Sequence, residues 1–201
     1  FAHSAPWVEA HDPGRRLDRF AARLRSYLLN HLCLRLLREG GRLPLDFIGL
    51  NYYARELVRW EPRGLAWLFG RERATERSGR ARQYSSLGWE IYPDGLRNVL
   101  QEFSRYGLPM VITENGIATS DESERTGYLE SHLRSLAAAV RSGLDVRGYC
   151  YWSLLDNFEW AEGFNAKFGL AAVDFATQQR TSREAALRFA AVCRSNGAVL
   201  D

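Results

Sequence analysis

Residues 109–117 read Pro-Met-Val-Ile-Thr-Glu-Asn-Gly-Ile, and the reading of this stretch decides the fold. Residues 110–113 form an apolar, strand-forming run that stops at a carboxylate, Glu114. Asn115-Gly116 follows at once and turns the chain away. Strands that are apolar on both faces belong to parallel sheets covered by helices. In such sheets chemistry gathers at the C-terminal ends of the strands, and Glu114 occupies one of those ends.

The same build, a short apolar run and then a helical pattern, recurs on both sides. Residues 1–8 read as the remnant of a strand, and residues 15–38 as its helix. In that helix Leu17, Phe20, Ala21, Leu24, Tyr27, Leu28 and Leu32 fall at three- and four-residue steps, with Gly40-Gly41 at the end. A strand over 46–50 closes on Asn51, Tyr52 and Tyr53. An arginine-rich stretch, 55–83, then reads as an irregular, solvated excursion, because Glu56, Glu61, Glu72 and Glu76 are interleaved. The pattern predicts a helix over 93–106, with Leu96, Val99, Leu100 and Phe103 on one face, Pro93 in its first turn and Gly107 as its stop. After residues 110–113 it predicts a helix over 124–141, with Leu129, Leu133, Leu136, Ala137 and Val140 inward and Gly143 closing it. A last strand over 146–151 reaches Trp152, and a long loop passes Trp160 and Phe168. The final helix spans 182–194 with Ser182 as its N-cap. The fold class is α/β, with three complete strand–helix units and one partial strand with its helix.

Bulk properties exclude several functions. The 201 residues are 46% hydrophobic, which marks a globular chain, and the net charge of +3 is too small to imply nucleic acid. Neither zinc-type Cys/His spacing nor a phosphate-cradling glycine loop occurs, so no cofactor and no metal are expected. The longest apolar runs fall far short of the roughly 20 residues that span a bilayer, and no membrane partner is expected. Cys33, Cys150 and Cys193 read as small buried thiols of a reducing compartment, which predicts a cytoplasmic protein. His31 and His132 fall within helical patterns and read as satisfied surface or interface groups. His3 lies near a strand end and is expected to face the mouth.

Glu114 is either a structural turn carboxylate or a reactive group. Tyr53 and Asn51, each at a strand end, favour the second reading, since a phenol bonded to a carboxylate orients it and favours its ionised form. A fixed, ionised carboxylate is a nucleophile. Trp152, Glu159 and Trp160 suit a sugar, because indole faces stack on pyranose C–H surfaces and carboxylates bind hydroxyls. Asp156, Asn157 and Glu159 are too polar for a core segment, which counts against a plain hydrophobic cluster.

Four stretches, DFIGLNYY, GWEIYPDGL, VITENG and GYCYWSLLDNFEWAEGFNAKFGL, occur in one order and together resemble the family 1 glycoside hydrolases, the β-glucosidase family of (β/α)8 barrels. The resemblance implies that residues 1–201 are the C-terminal part of one barrel domain, strands five to eight with their helices. It implies a retaining β-glycosidase acting on β-glucosides or β-galactosides, with Glu114 as nucleophile and Tyr53 as the residue that orients it. By the same resemblance Asn51, Trp152, Glu159, Trp160 and Phe168 belong to the glycone site, and Trp89 stacks on the aglycone. Phe158-Glu159-Trp160 favours unphosphorylated sugars. The family's acid/base sits in an Asn-Glu-Pro motif on strand four, and no Asn-Glu pair occurs here. The N-terminal half of the barrel, in the same or a separate chain, is therefore an expected partner. The missing acid also leaves open a non-catalytic sugar-binding or interaction module derived from such a barrel.

Overall fold

The computed structural model describes residues 2–39, 45–72 and 83–200. Its centre is a four-stranded, wholly parallel sheet in the order β1 (Ala2–Ser4), β3 (Ile48–Asn51), β6 (Met110–Asn115), β7 (Val146–Tyr151). Each strand is followed by helix. α1 (Arg16–Ser26) and α2 (Leu32–Glu39) link β1 to β3, and α4 (Pro93–Phe103) links β3 to β6. α5 (Glu122–Arg141) links β6 to β7, and α6 (Glu184–Arg194) follows β7. These are the successive βα units of a barrel wall.

The two faces of the sheet are covered unequally. Ile48, Leu50, Tyr52, Met110 and Ile112 pack against Leu34, Leu96, Val99, Leu100 and Phe103 of the helices, and none is more than 1% exposed. Val111 and Thr113, on the opposite face of β6, are only half-buried. Among the described residues, β1 and β7 each pair on one side only. An inner face left half-open between two unpaired edges is what half of a closed barrel presents.

The strand-end layer continues into a second sheet. β2 (Trp7–Ala10) pairs in parallel with β4 (Arg55–Arg59), and β5 (Arg71–Glu72) adds an antiparallel edge after the short α3 (Ala66–Phe69). The excursion expected over 55–83 therefore begins as an ordered strand, with Leu57 and Val58 fully buried. Its charges concealed the strand because the partner, β2, is remote in sequence. Residues 73–82 of that stretch, Glu76 included, and the Gly40-Gly41 stop lie outside the described residues.

Other expectations shift in detail. The helix read over 15–38 is interrupted by a widened π-turn, Tyr27–His31. Before it, α1 turns Ala21 and Ala22 onto Val8 and Val58 of the second sheet and leaves Leu17 and Phe20 exposed, and after it Leu34 enters the main core. His31 and His132 are buried, not surface groups. His3 faces the helix layer, its ring 6.4 Å from Phe103, rather than the mouth. Val140 is 47% exposed, while its neighbour Ala139 is fully buried in the core. Ser182 belongs to the hairpin of β8 (Ala171–Val173) and β9 (Arg180–Ser182), and Arg183 precedes α6 without a side-chain cap. All three cysteines are exposed, Cys150 because it points to the open inner face of β7.

His132 stacks on Tyr128 with centroids 3.8 Å apart, and its Nδ1–H donates to the Tyr128 carbonyl at 2.8 Å. Burial pushes the imidazole down to about 4 from 6.5, so the fold holds it neutral. Unfolding lets it take a proton at the ordinary value. The stabilisation is complete above pH 6.5 and is lost as the pH falls toward 4, by up to roughly 3 kcal/mol. Urea unfolding across this window should show the loss, and His132→Phe, which keeps the stacking, should remove that part of the slope.

Candidate active site

Strand pairing brings the expected residues together at one end of the sheet. Asn51 lies opposite Glu114 in the β3–β6 register, and Tyr52 N–H donates to the Glu114 carbonyl at 2.9 Å. The register shifts at this point, which turns Glu114 off the regular alternation. Tyr53 Oη donates to Glu114 Oε2 at 2.7 Å. Burial first, then that hydrogen bond and the adjacent negative charge, raise the Tyr53 phenol far above its ordinary range. Tyr53 therefore remains a donor at any physiological pH and holds one carboxylate oxygen in place. Thr113 Oγ1 donates to Asn51 Oδ1 at 2.6 Å, so the amide NH2 is the end of Asn51 left to donate.

Aromatic rings back this pair. Tyr53, Trp89 and Phe168 form a triangle with centroids 5.5–6.2 Å apart. Trp89 is 38% exposed, whereas Phe168 is 2% exposed and supports the other two from behind. Trp152 joins the same cluster, half-buried, and its N–H donates to the Asn115 carbonyl at 3.0 Å. The Trp152–Ser153 peptide is cis. A cleft of about 260 Å³ opens beside Tyr53 and Trp89, walled by Ser4, Asn51, Arg55 and Glu90.

Glu159 is close enough for its charge to raise the Tyr53 phenol further, so its carboxylate belongs to the same electrostatic neighbourhood. Trp160, in the 3-10 turn Trp160–Glu162, is 84% exposed and packs on none of these rings. Asp156 is not a rim group. It is 4% exposed and clamps Arg183 through both oxygens at 2.9 Å, while its Oδ1 also accepts the Gly169 N–H. Burial opposes ionisation, but the Arg183 and Gly169 hydrogen bonds hold the Asp156 carboxyl below its ordinary range.

Two supports were invisible in the sequence. Asn115 is fully buried. Its Nδ2 donates to the Tyr52 carbonyl at 2.7 Å and to Tyr128 Oη at 2.9 Å, and its Oδ1 accepts from Tyr149 Oη at 2.8 Å. Arg125, also fully buried, donates to the carbonyls of Ile117, Thr119 and Lys167, tying the loop after β6 to the loop that carries Phe168. Only a polar residue at an otherwise inward helix position could have signalled Arg125. Among the described residues, no group of three or more His, Cys, Asp or Glu side chains is placed to hold a metal ion.

The sequence profile of glycosyl hydrolase family 1 matches residues 37–198. A β-galactosidase of Sulfolobus acidocaldarius is 43% identical over 164 residues, covering 80% of this chain and 33% of that protein. β-Glucosidase A of Thermotoga maritima is 37% identical over 164 residues, covering 76% of this chain and 35% of that protein. A solved β-glycosidase from Pyrococcus horikoshii superposes with a TM-score of 0.89 at 34% identity, over 97% of this chain and 48% of that one. The chain thus spans about a third of the length of the curated relatives and about half of the solved structure.

The Asp156–Arg183 clamp anchors the loop that returns Phe168 to the site. Asp156→Ala leaves the Arg183 guanidinium on Glu122 and the Gly169 carbonyl but strips the buried Gly169 N–H of its acceptor, and should cost about 2 kcal/mol, read as a lower urea midpoint. Trp89 emission should shift in the same variant as its backing ring loosens.

Proposed function

We propose, from the premise that this chain belongs to glycosyl hydrolase family 1, that it is the nucleophile-bearing half of a retaining β-glycosidase. The substrates are β-glucosides or β-galactosides. The observation that carries the reading is the 2.7 Å hydrogen bond from Tyr53 to Glu114, at adjoining strand ends and beside Trp152.

In this mechanism Glu114 Oε1 attacks the anomeric carbon of a sugar lying against Trp152. Tyr53 holds Oε2 and so fixes the direction of attack. The bond to the aglycone breaks as a covalent glycosyl–Glu114 ester forms, and water then releases the sugar with retained configuration. A second carboxyl, about 5–5.5 Å from the first, protonates the departing oxygen and later activates the water. That group comes from the part of the barrel outside this chain, in keeping with the absence of an Asn-Glu pair from its sequence. Asn51, Glu159 and Trp160 bind glycone hydroxyls. Trp89 stacks on the aglycone, and Phe168 stiffens both rings that touch substrate. The absent Asn-Glu pair also favours a second reading, a sugar-binding module with no turnover of its own.

Mixing this chain with a polypeptide that supplies the other strands should give hydrolysis of an aryl β-glucoside. Glu114→Gln should abolish it, and Tyr53→Phe should lower kcat by roughly 10–100-fold with little change in KM. Hydrolysis that survives Glu114→Gln refutes the assignment. Sugar binding without any turnover, in a correctly formed complex, selects the second reading.

A further inference from the structure

Tyr53 belongs to a short run at the end of β3 whose side chains tie down different parts of the mouth. Tyr52 Oη donates to the Tyr92 carbonyl at 2.6 Å, and Tyr53 Oη donates to Glu114. Arg55 grips Glu90 with two prongs, Nε to Oε2 at 2.9 Å and Nη2 to Oε1 at 2.6 Å. Arg55 Nη1 also donates to Glu9 Oε2 of β2 at 3.0 Å, and the guanidinium lies 3.7 Å from the Tyr92 ring centre. The run that holds the nucleophile therefore also holds residues 90–92.

Those residues continue directly from Trp89. The Ser85 N–H donates to the Trp89 carbonyl at 2.9 Å, the Trp89 N–H to Ser85 Oγ at 3.2 Å, and the Ile91 N–H to the Gln83 carbonyl at 2.9 Å. Residues 83–92 thus form a strap that folds back on itself. Glu90 is buried, whereas Trp89 is the exposed member of the aromatic triangle and stands 5.5 Å from the Tyr53 ring. Neighbouring Cα atoms are a fixed ~3.8 Å apart, so where Arg55 holds Glu90 sets where the indole begins. Arg55 and Glu90 both wall the cleft of about 260 Å³ beside that indole.

A buried ion pair adds little net stability over apolar packing. What a two-pronged guanidinium–carboxylate contact supplies is direction, because both N–H···O bonds form only when the two planar groups are aligned. Here that direction is passed to the strap beneath Trp89.

We infer that Arg55 and Glu90 are positioning residues for the leaving group: they fix the Trp89 platform relative to the Tyr53–Glu114 pair, and so favour substrates whose leaving group carries a flat ring, aryl or pyranose. The inference rests on the reading of this mouth as a β-glycoside site. Neither residue touches the reacting atoms.

Two substrates with the same glycone test it, in the complex of this chain with the polypeptide that supplies the other strands. Phenyl β-glucoside places a ring on Trp89, and β-glucosyl fluoride places none. Glu90→Gln keeps one oxygen for Arg55, and Arg55→Lys keeps the charge, but each loses the two-pronged contact. Either variant should lower kcat/KM for the phenyl glucoside roughly tenfold and leave that for the fluoride within about twofold. The double variant Trp89→Ala with Glu90→Gln should be no slower on the phenyl glucoside than Trp89→Ala alone, because Glu90 acts through Trp89. Equal losses on both substrates, no loss on either, or losses that add in the double variant overturn the inference. Calorimetric binding of phenyl and methyl 1-thio-β-glucoside keeps this test separate from turnover. If the unsubstituted complex cleaves neither substrate, the proposed catalysis fails, and the binding comparison still decides the role of the pair. Weaker binding of the phenyl compound alone in the two single variants supports it, and equal or absent weakening of both compounds overturns it.

Discussion

The site depends on one buried carboxamide. Asn115 follows Glu114, and its side chain meets the end of β3 through the Tyr52 carbonyl, α5 through Tyr128, and β7 through Tyr149. Three elements that arrive from distant parts of the chain are thereby registered directly beneath Glu114. A fully buried amide with its donors and acceptor engaged is costly to disturb, because any slip leaves polar groups unpaired out of water. The next residue adds a steric constraint. A Cβ on Gly116 would lie 1.8 Å from the Trp152 carbonyl oxygen, so only glycine lets the β6 and β7 ends come this close. The positions of Glu114, Tyr53 and Trp152 relative to one another follow from these two contacts.

The half-open sheet gives this arrangement its wider meaning. Helix-side residues of β6 are as buried as any core, while Val111 and Thr113 on the inner side are not. Parallel sheets are stable when both faces are covered, and the inner face here lacks its cover. The chain also spans only about half of the solved β-glycosidase on which it superposes. Under the proposed function these two facts have one cause, since the strands that would cover the inner face are those that would carry the acid/base. Completing the wall and completing the chemistry are then the same event.

Much of this was legible from residue pattern. The alternation of strand runs and helical stripes located β3, β6, β7 and α4 to α6 to within a few residues, because each carries its own hydrophobic period. The positions of Glu114, Tyr53, Asn51 and Trp152 at strand ends were legible for the same reason, whereas Trp89 was singled out only by the family resemblance. What failed was whatever depended on partners far away in sequence. β4 looked like a charged loop because its pairing with β2 cannot be seen locally. Asp156 looked too polar for a core segment because nothing nearby announced Arg183, 27 residues on. Leu17 and Phe20 emerged exposed where a uniform stripe was read, because α1 turns Ala21 and Ala22 onto β2 and β4 instead. Asn115 and Arg125 escaped because buried polar hubs leave no periodic trace.

The central claim is that the carboxylate held by Tyr53 is the group that bonds to sugar carbon. The most direct measurement is peptide mass mapping of the completed barrel after inactivation with an activated 2-deoxy-2-fluoro-β-glucoside, which slows release of any glycosyl ester. The account predicts one fluoroglycosyl adduct per site, on the peptide holding residues 110–117 and at Glu114. An adduct on any other carboxylate would contradict it, as would inactivation that leaves this peptide unmodified.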